Sequence, residues 1–184
     1  MRIRQRELQD ALAESIARHR VAGASAAVFH AGELITAAAG LTNVTTGVEV
    51  TPDTLMHIGS ITKIFNATLI MQLADEGRLS LSDAIATHLP GLPMGERARS
   101  ITVRMLLNHS SGIDGGILPG QGHDEDTLEK AAHRIAALDQ VFGPGEKYSY
   151  CNAATVLAGY LAQRLTGRSW HDLIRERILA PMGI

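Results

Sequence analysis

Between positions 5 and 19, Leu8, Leu12 and Ile16 recur every four residues with charged residues between them. That spacing predicts an amphipathic helix that lays one apolar stripe on a core. Residues 24–30 and 33–40 are two runs of small and apolar residues joined at Ala31-Gly32. They predict a β-hairpin, although alanine is a weak strand former. Residues 42–54 are rich in Thr, Gly and Pro and read as a loop or a short strand pair. From Ser60 the period becomes helical: Ile61, Ile64, Phe65, Leu69 and Leu73 share a face, and Gly77 stands where the helix should end. Ser82 is placed to cap a short helix through Leu89, stopped by Pro90-Gly91, and residues 102–108 predict another. Residues 112–126 are Gly-rich and acidic and read as a surface loop. A helix is predicted over 127–140, a turn at Gly143-Pro144-Gly145, and a helix over 152–165 with Leu157, Leu161 and Leu165 on one stripe and Gly167 just beyond. Ser169, with Asp172 three residues later, opens the last helix, which should end before Pro181.

Composition narrows the class. Of 184 residues, 45% are hydrophobic and 20% charged, and the formal net charge is −2. This is a globular composition, which argues against disorder. Arg2, Arg4 and Arg6 form the one basic cluster, and Glu7 and Asp10 follow it. Neither nucleic acid nor an anionic membrane is implied as a partner. The single cysteine, Cys151, excludes an internal disulfide framework and a multi-cysteine zinc site. No run of ~18 apolar residues is present, so no membrane span is expected. A secretory apolar region does not follow Met1, and the chain reads as cytoplasmic unless a leader has been removed. No repeat or domain linker is visible.

Two local patterns carry chemistry. In Ser60-Ile61-Thr62-Lys63 the first and last side chains lie on one face of a helix start, so an amine can reach a hydroxyl. Serine is a poor nucleophile until a base takes its proton, and a neutral lysine can be that base. The alternative is an N-cap serine beside a surface lysine. With 10 serines and 3 lysines in the chain, roughly 0.2 such pairs arise by chance, so the pair alone is weak. The second pattern is Tyr150-Cys151-Asn152, between a Gly-Pro-Gly turn and a helix. A tyrosine shuttles protons when a nearby ammonium lowers its pKa, and an asparagine donates to a carbonyl. A half-buried tyrosine and an N-cap asparagine would explain the same string. Tyr148 lies two residues away and can be mistaken for the functional ring.

Other constellations carry less. The histidines show no H-E-x-x-H spacing, and His19, His88, His123, His133 and His171 read as surface positions, so no metal is implied. Gly23-Ala24-Ser25-Ala26-Ala27 approaches a nucleophile elbow but ends in alanine and leads into a strand. His57 reads as the end of a strand leading to the Ser60 helix, and Cys151 as a small packing residue. No phosphate-binding loop or dinucleotide fingerprint occurs, and no cofactor is implied.

The string His57-Ile58-Gly59-Ser60-Ile61-Thr62-Lys63, followed by Leu73-Ala74-Asp75-Glu76-Gly77-Arg78-Leu79-Ser80-Leu81-Ser82-Asp83, resembles the serine β-lactamase and penicillin-binding-protein superfamily. The branch it most resembles holds class C β-lactamases, family VIII carboxylesterases and D-amino-acid peptidases. Further markers stand in order: residues 101–113 (Ile-Thr-Val-Arg-Met-Leu-Leu-Asn-His-Ser-Ser-Gly-Ile), Phe142-Gly143-Pro144-Gly145 leading to Tyr150-Cys151-Asn152, Leu165-Thr166-Gly167-Arg168-Ser169-Trp170, and Ala180-Pro181-Met182-Gly183-Ile184. The resemblance implies an α/β (α+β) fold, with an antiparallel sheet flanked by helices, an all-helical subdomain and the site in the cleft between them. It implies that residues 1–184 are the N-terminal part of one catalytic domain. Residues 1–58 would give a helix and hairpin of the α/β part, 59–150 a mostly helical subdomain, and 151–184 helices returning toward the α/β part.

The same resemblance implies a serine hydrolase or acyltransferase working through acyl-Ser60, as an esterase, amidase, β-lactamase or transacylase on a small ester, amide or lactam. Lys63 and Tyr150 would handle protons and Asn152 would orient the substrate carbonyl. A non-catalytic sensor or assembly scaffold is the alternative. Two departures stand out. Cysteine occupies the middle of the Tyr-x-Asn motif, where relatives carry a small residue such as serine or alanine. The third family motif, Lys/His-x-Gly on a late strand, is absent; His30-Ala31-Gly32 matches as a string but lies before the nucleophile. The late strands and final helix of the family therefore fall outside these residues, and a complementary C-terminal segment or partner chain is expected to supply them.

Overall fold

The computed structural model describes residues 4–115 and 126–184. They form a mixed α/β structure with an antiparallel sheet and many helices, in two compact units, 1–57 and 58–184. Of the acidic loop expected over 112–126, residues 116–125, including His123, lie outside the described residues.

In the first unit, helix α1 (Gln5–His19) packs on a three-stranded sheet of order β1 (Gly23–His30), β2 (Glu33–Asn43), β3 (Val48–Glu49). Leu8, Leu12 and Ile16 are half-buried on α1, as their spacing requires. Gln9 beside them donates from Nε2 to the Ala38 carbonyl at 2.8 Å and accepts the Ala38 N–H at 3.3 Å, so polar groups of β2 are satisfied by the helix. The hairpin turns on Ala31 and Gly32, both at positive φ (50° and 83°), the pair of conformations that matches the strand twist. The Thr-rich stretch holds β3, paired to β2 through a bulge between Leu41 and Asn43. Asn43 Oδ1 accepts the Thr45 N–H at 2.7 Å, closing the turn that precedes β3. Ser25 lies within β1, opposite Ala38. His57 is in irregular backbone, not at the end of a strand as expected.

The second unit starts with a 3-10 turn, Gly59–Ile61, running into α2 (Thr62–Asp75). The buried face of α2 is Asn66, Leu69, Ile70 and Leu73; Ile61 and Ile64, expected on it, are exposed. Three short helices follow: α3 (Ile85–His88), α4 (Arg97–Ser100) and α5 (Val103–Leu107). Ser82 does not cap α3. Asp83 instead accepts the Ser80 N–H at 2.7 Å and meets His88 Nε2 at 2.8 Å, so His88 is largely covered, not a surface position. Helix α6 (Thr127–Ala136) ends four residues earlier than its pattern predicts. Arg97 donates to the Ala136 and Leu138 carbonyls and so takes the place of further helical turns.

Helix α7 (Asn152–Thr166) forms the centre of this unit. Ala153, Ala154, Leu157, Ala158, Leu161 and Ala162 are buried, and α2, α5 and α6 pack around it. The alanines let these neighbours approach, while each fully buried leucine contributes about 1.5–3 kcal/mol. Ser169 caps α8 (Trp170–Ile174), accepting the Asp172 N–H at 3.1 Å. The winding does not stop before Pro181: it widens into a π turn at Arg175–Leu179 and closes as α9 (Ala180–Met182). Proline has no N–H to donate and crowds the carbonyl four residues back, and a wider turn relieves that clash. No described helix is long and apolar enough to cross a membrane.

Candidate active site

Ser60 sits in the 3-10 turn ahead of α2, exposed at the surface of its unit. Gly59 before it has φ +53°, a left-handed conformation that a side chain would strain, and this reversal sends the chain into the helix. Lys63 lies three residues on, the second residue of α2, and its Nζ donates to Ser60 Oγ at 2.9 Å. The Tyr150 hydroxyl also hydrogen-bonds Ser60 Oγ. Lys63 Nζ stands 4.7 Å from the centroid of the Tyr150 ring. One hydroxyl is thus bonded to an amine three residues away and to a phenol 90 residues away in the chain.

The electrostatics follow from this contact. The Lys63 amine, and after it the Ser60 hydroxyl, hold the Tyr150 phenol below its ordinary value of 10.0, while desolvation opposes them. Tyr148, 71% exposed, meets the edge of the His109 ring and not Ser60. Asn152 is the first residue of α7 and lines, with Lys63, a hollow of about 250 Å³ walled by Asn66, Val156, Gly159 and Trp170. The helix cap, which the alternative reading of the string put at Asn152, is Cys151: its Sγ accepts the Ala154 N–H at 3.2 Å and donates to the Ile113 carbonyl at 3.4 Å. Cys151 is 2% exposed, a packing residue.

His109 belongs to the neighbourhood and was visible in the sequence only as one letter of a family string. Its Nδ1 accepts the Cys151 N–H at 3.1 Å and its ring lies on that of Tyr150, centroids 4.6 Å apart. Burial, and after it the charge of Lys63, push the imidazole below its ordinary value. The loop after α5 is brought here by Gln140, whose Nε2 donates to the Ser111 and Phe142 carbonyls, each at 2.7 Å. Among the described residues no group of three or more His, Cys, Asp and Glu side chains could hold a metal ion.

A serine–lysine–tyrosine cluster ahead of a central helix, in an antiparallel-sheet and helical structure, defines a serine β-lactamase-like protein. Residues 8–184 match the family described as Beta-lactamase, and the chain belongs to that family. It is 39% identical over 168 residues to penicillin-binding protein 4 of Amycolatopsis lactamdurans, covering 90% of this chain and 44% of that protein. The D-amino acid amidase of Ochrobactrum anthropi SV3, complexed with D-phenylalanine, superposes with a TM-score of 0.83 at 31% identity, over 96% of this chain and 49% of that one. A class C β-lactamase from Rhodobacter sphaeroides superposes with a TM-score of 0.75 at 31% identity, over 96% and 49%. The resemblance to the serine β-lactamase and penicillin-binding-protein superfamily, and the mixed fold of antiparallel sheet and helices it implied, are borne out. The chain spans under half the length of these relatives.

Proposed function

We propose that this chain carries the nucleophile and proton-handling groups of a serine hydrolase or acyltransferase that works through an acyl-Ser60 intermediate. The observation that carries the reading is the Ser60 hydroxyl bonded at once to Lys63 and Tyr150. As Ser60 Oγ attacks a carbonyl, its proton passes to the Lys63–Tyr150 pair and from there to the leaving amine or alkoxide. Water or another nucleophile then repeats the transfer in reverse and frees the serine. The two share the role of base as a pair, since both of them touch the one hydroxyl. Asn152 orients the substrate carbonyl, and the Ser60 N–H is one donor to the oxyanion. The relatives named for penicillin binding, D-amino acid amides and β-lactams favour a small amide, lactam or ester as substrate.

On this reading residues 1–184 are the N-terminal part of one catalytic domain. The second oxyanion donor then comes from a complementary C-terminal segment or a partner chain. The test is a fluorophosphonate probe read by intact mass and peptide mapping on the full-length protein. One adduct on Ser60, abolished by Ser60→Ala, is expected. A label on Ser25, Ser110 or Cys151 would overturn the assignment, and no label would favour a non-catalytic sensor or scaffold.

A further inference from the structure

His109 stands in the left-handed backbone conformation, φ +62°, just after α5. From there it meets three consecutive residues of the segment that delivers Tyr150. Its carbonyl accepts the Ser149 N–H at 2.9 Å. Its Nδ1 accepts the Cys151 N–H at 3.1 Å. Between these two bonds its ring lies against the Tyr150 ring, centroids 4.6 Å apart and planes tilted by 34°. The backbone on both sides of Tyr150 is therefore held by one residue, which also closes off one face of the phenol. A long side chain on a loop is placed accurately only when its neighbours leave it one rotamer and one backbone position.

We propose that His109 is a positioning residue for Tyr150: it grips residues 149 and 151 and stacks on the ring between them, and so fixes the phenolic oxygen against Ser60 Oγ. The inference rests on the acyl-serine reading above. The chemistry of the grip is specific. Because the Cys151 N–H donates to Nδ1, that nitrogen carries its lone pair, and the neutral ring holds its proton on Nε2. An imidazolium would turn an N–H toward an N–H and lose the bond, and it would add a second positive charge near Lys63. The backbone conformation is specific too. Asparagine adopts positive φ readily and offers a side-chain acceptor, whereas glycine accepts the conformation and offers neither acceptor nor ring.

The test is a double-mutant cycle on the full-length protein, with the second-order rate of fluorophosphonate labelling of Ser60 and the thermal midpoint as readouts. His109→Gly is expected to slow labelling by about 10–10²-fold, the cost of a misplaced reacting group, and His109→Asn to recover part of the loss. In a Tyr150→Phe background the same His109→Gly change should cost less than about threefold, since nothing remains to be positioned. Equal losses in the two backgrounds, or a wild-type rate in His109→Gly, would overturn the proposal. If His109→Gly unfolds below the assay temperature, His109→Asn carries the same cycle, and additive losses there overturn it equally. Absence of labelling in the wild type overturns the acyl-serine reading, and this inference with it.

Discussion

The indole N–H of Trp170 donates to Asn66 Oδ1 at 2.9 Å across 104 residues of chain. The same amide donates from Nδ2 to the Thr155 carbonyl at 2.9 Å, so one buried side chain, 2% exposed, ties α2 to α7 and α8. Gly159 makes the space for this, since a Cβ there would stand 3.3 Å from Trp170 Cδ1. Asn66 lies one turn beyond Lys63, and Thr155 one turn beyond Asn152, so the link also fixes the spacing of two candidate site residues. Truncating the amide leaves an indole N–H without its partner. Asn66→Ala should therefore cost about 2–4 kcal/mol in urea unfolding. A cost below about 0.5 kcal/mol would show that the link contributes nothing net.

A second stability prediction separates two glycines. Gly112 has φ +73°, and a Cβ on it would fall 2.1 Å from the Phe142 carbonyl oxygen and 2.2 Å from Gln140 Nε2. Backbone strain and overlap add there, and Gly112→Ala should cost about 2–4 kcal/mol. A Cβ on Gly59 would meet nothing within 4 Å, leaving only the strain of φ +53°. Gly59→Ala should cost about 1–2 kcal/mol. Thermal unfolding of the two variants gives the order, and a larger loss at Gly59 would contradict it.

The features legible in the sequence are those decided within a few residues. The stripe on α1, the Ala31-Gly32 turn and the Ser169–Asp172 cap need only local spacing, and the structure has all three. What escaped was decided across the chain. The buried face of α2 runs through a polar residue, Asn66, because its partners are on α7 and α8, and a hydrophobic period cannot register that. Helix α6 stops where Arg97 reaches its last carbonyls from 39 residues away. At the candidate site the Ser60–Lys63 contact follows from helical spacing alone, whereas the local string offered Tyr150 as a candidate without any spacing that ties it to Ser60, 90 residues away. His109 carried no local signal, because its contacts with residues 149–151 lie 42 positions from it at Cys151.

Tyr150 should titrate before Tyr160. Tyr150 is held below 10.0 by Lys63 first and Ser60 second. Tyr160 is raised, by burial first and then by the charge of Glu129, which its hydroxyl meets at 3.2 Å. An ultraviolet titration should show one tyrosinate forming below the usual range and one above it, with the early one absent in Tyr150→Phe and delayed in Lys63→Ala. The sign for stability follows. A lowered folded value means that the unfolded chain binds the proton more tightly, so Tyr150 adds stability as pH rises from its folded value to 10.0, and that gain is lost as pH falls back through the folded value. An early transition that survives Tyr150→Phe would contradict the assignment.

The proposed proton-handling pair admits a direct test, because the two residues can be changed with little change of shape. Lys63→Arg keeps a long basic side chain at the helix start, but a guanidinium does not release its proton and cannot serve as a base. Its labelling rate should therefore fall by about 10²-fold or more, the range that positioned proton transfer supplies. Tyr150→Phe keeps the ring that His109 packs against and removes only the oxygen bonded to Ser60. It too should lose about 10²-fold. The double variant should lose less than the product of the two, because residues that act on one proton do not contribute independently. Near-normal labelling in Lys63→Arg would remove lysine from the reaction and leave it as a structural partner of Ser60. Fully multiplicative losses would mean that the two residues act on separate steps, not on the single hydroxyl that both of them touch.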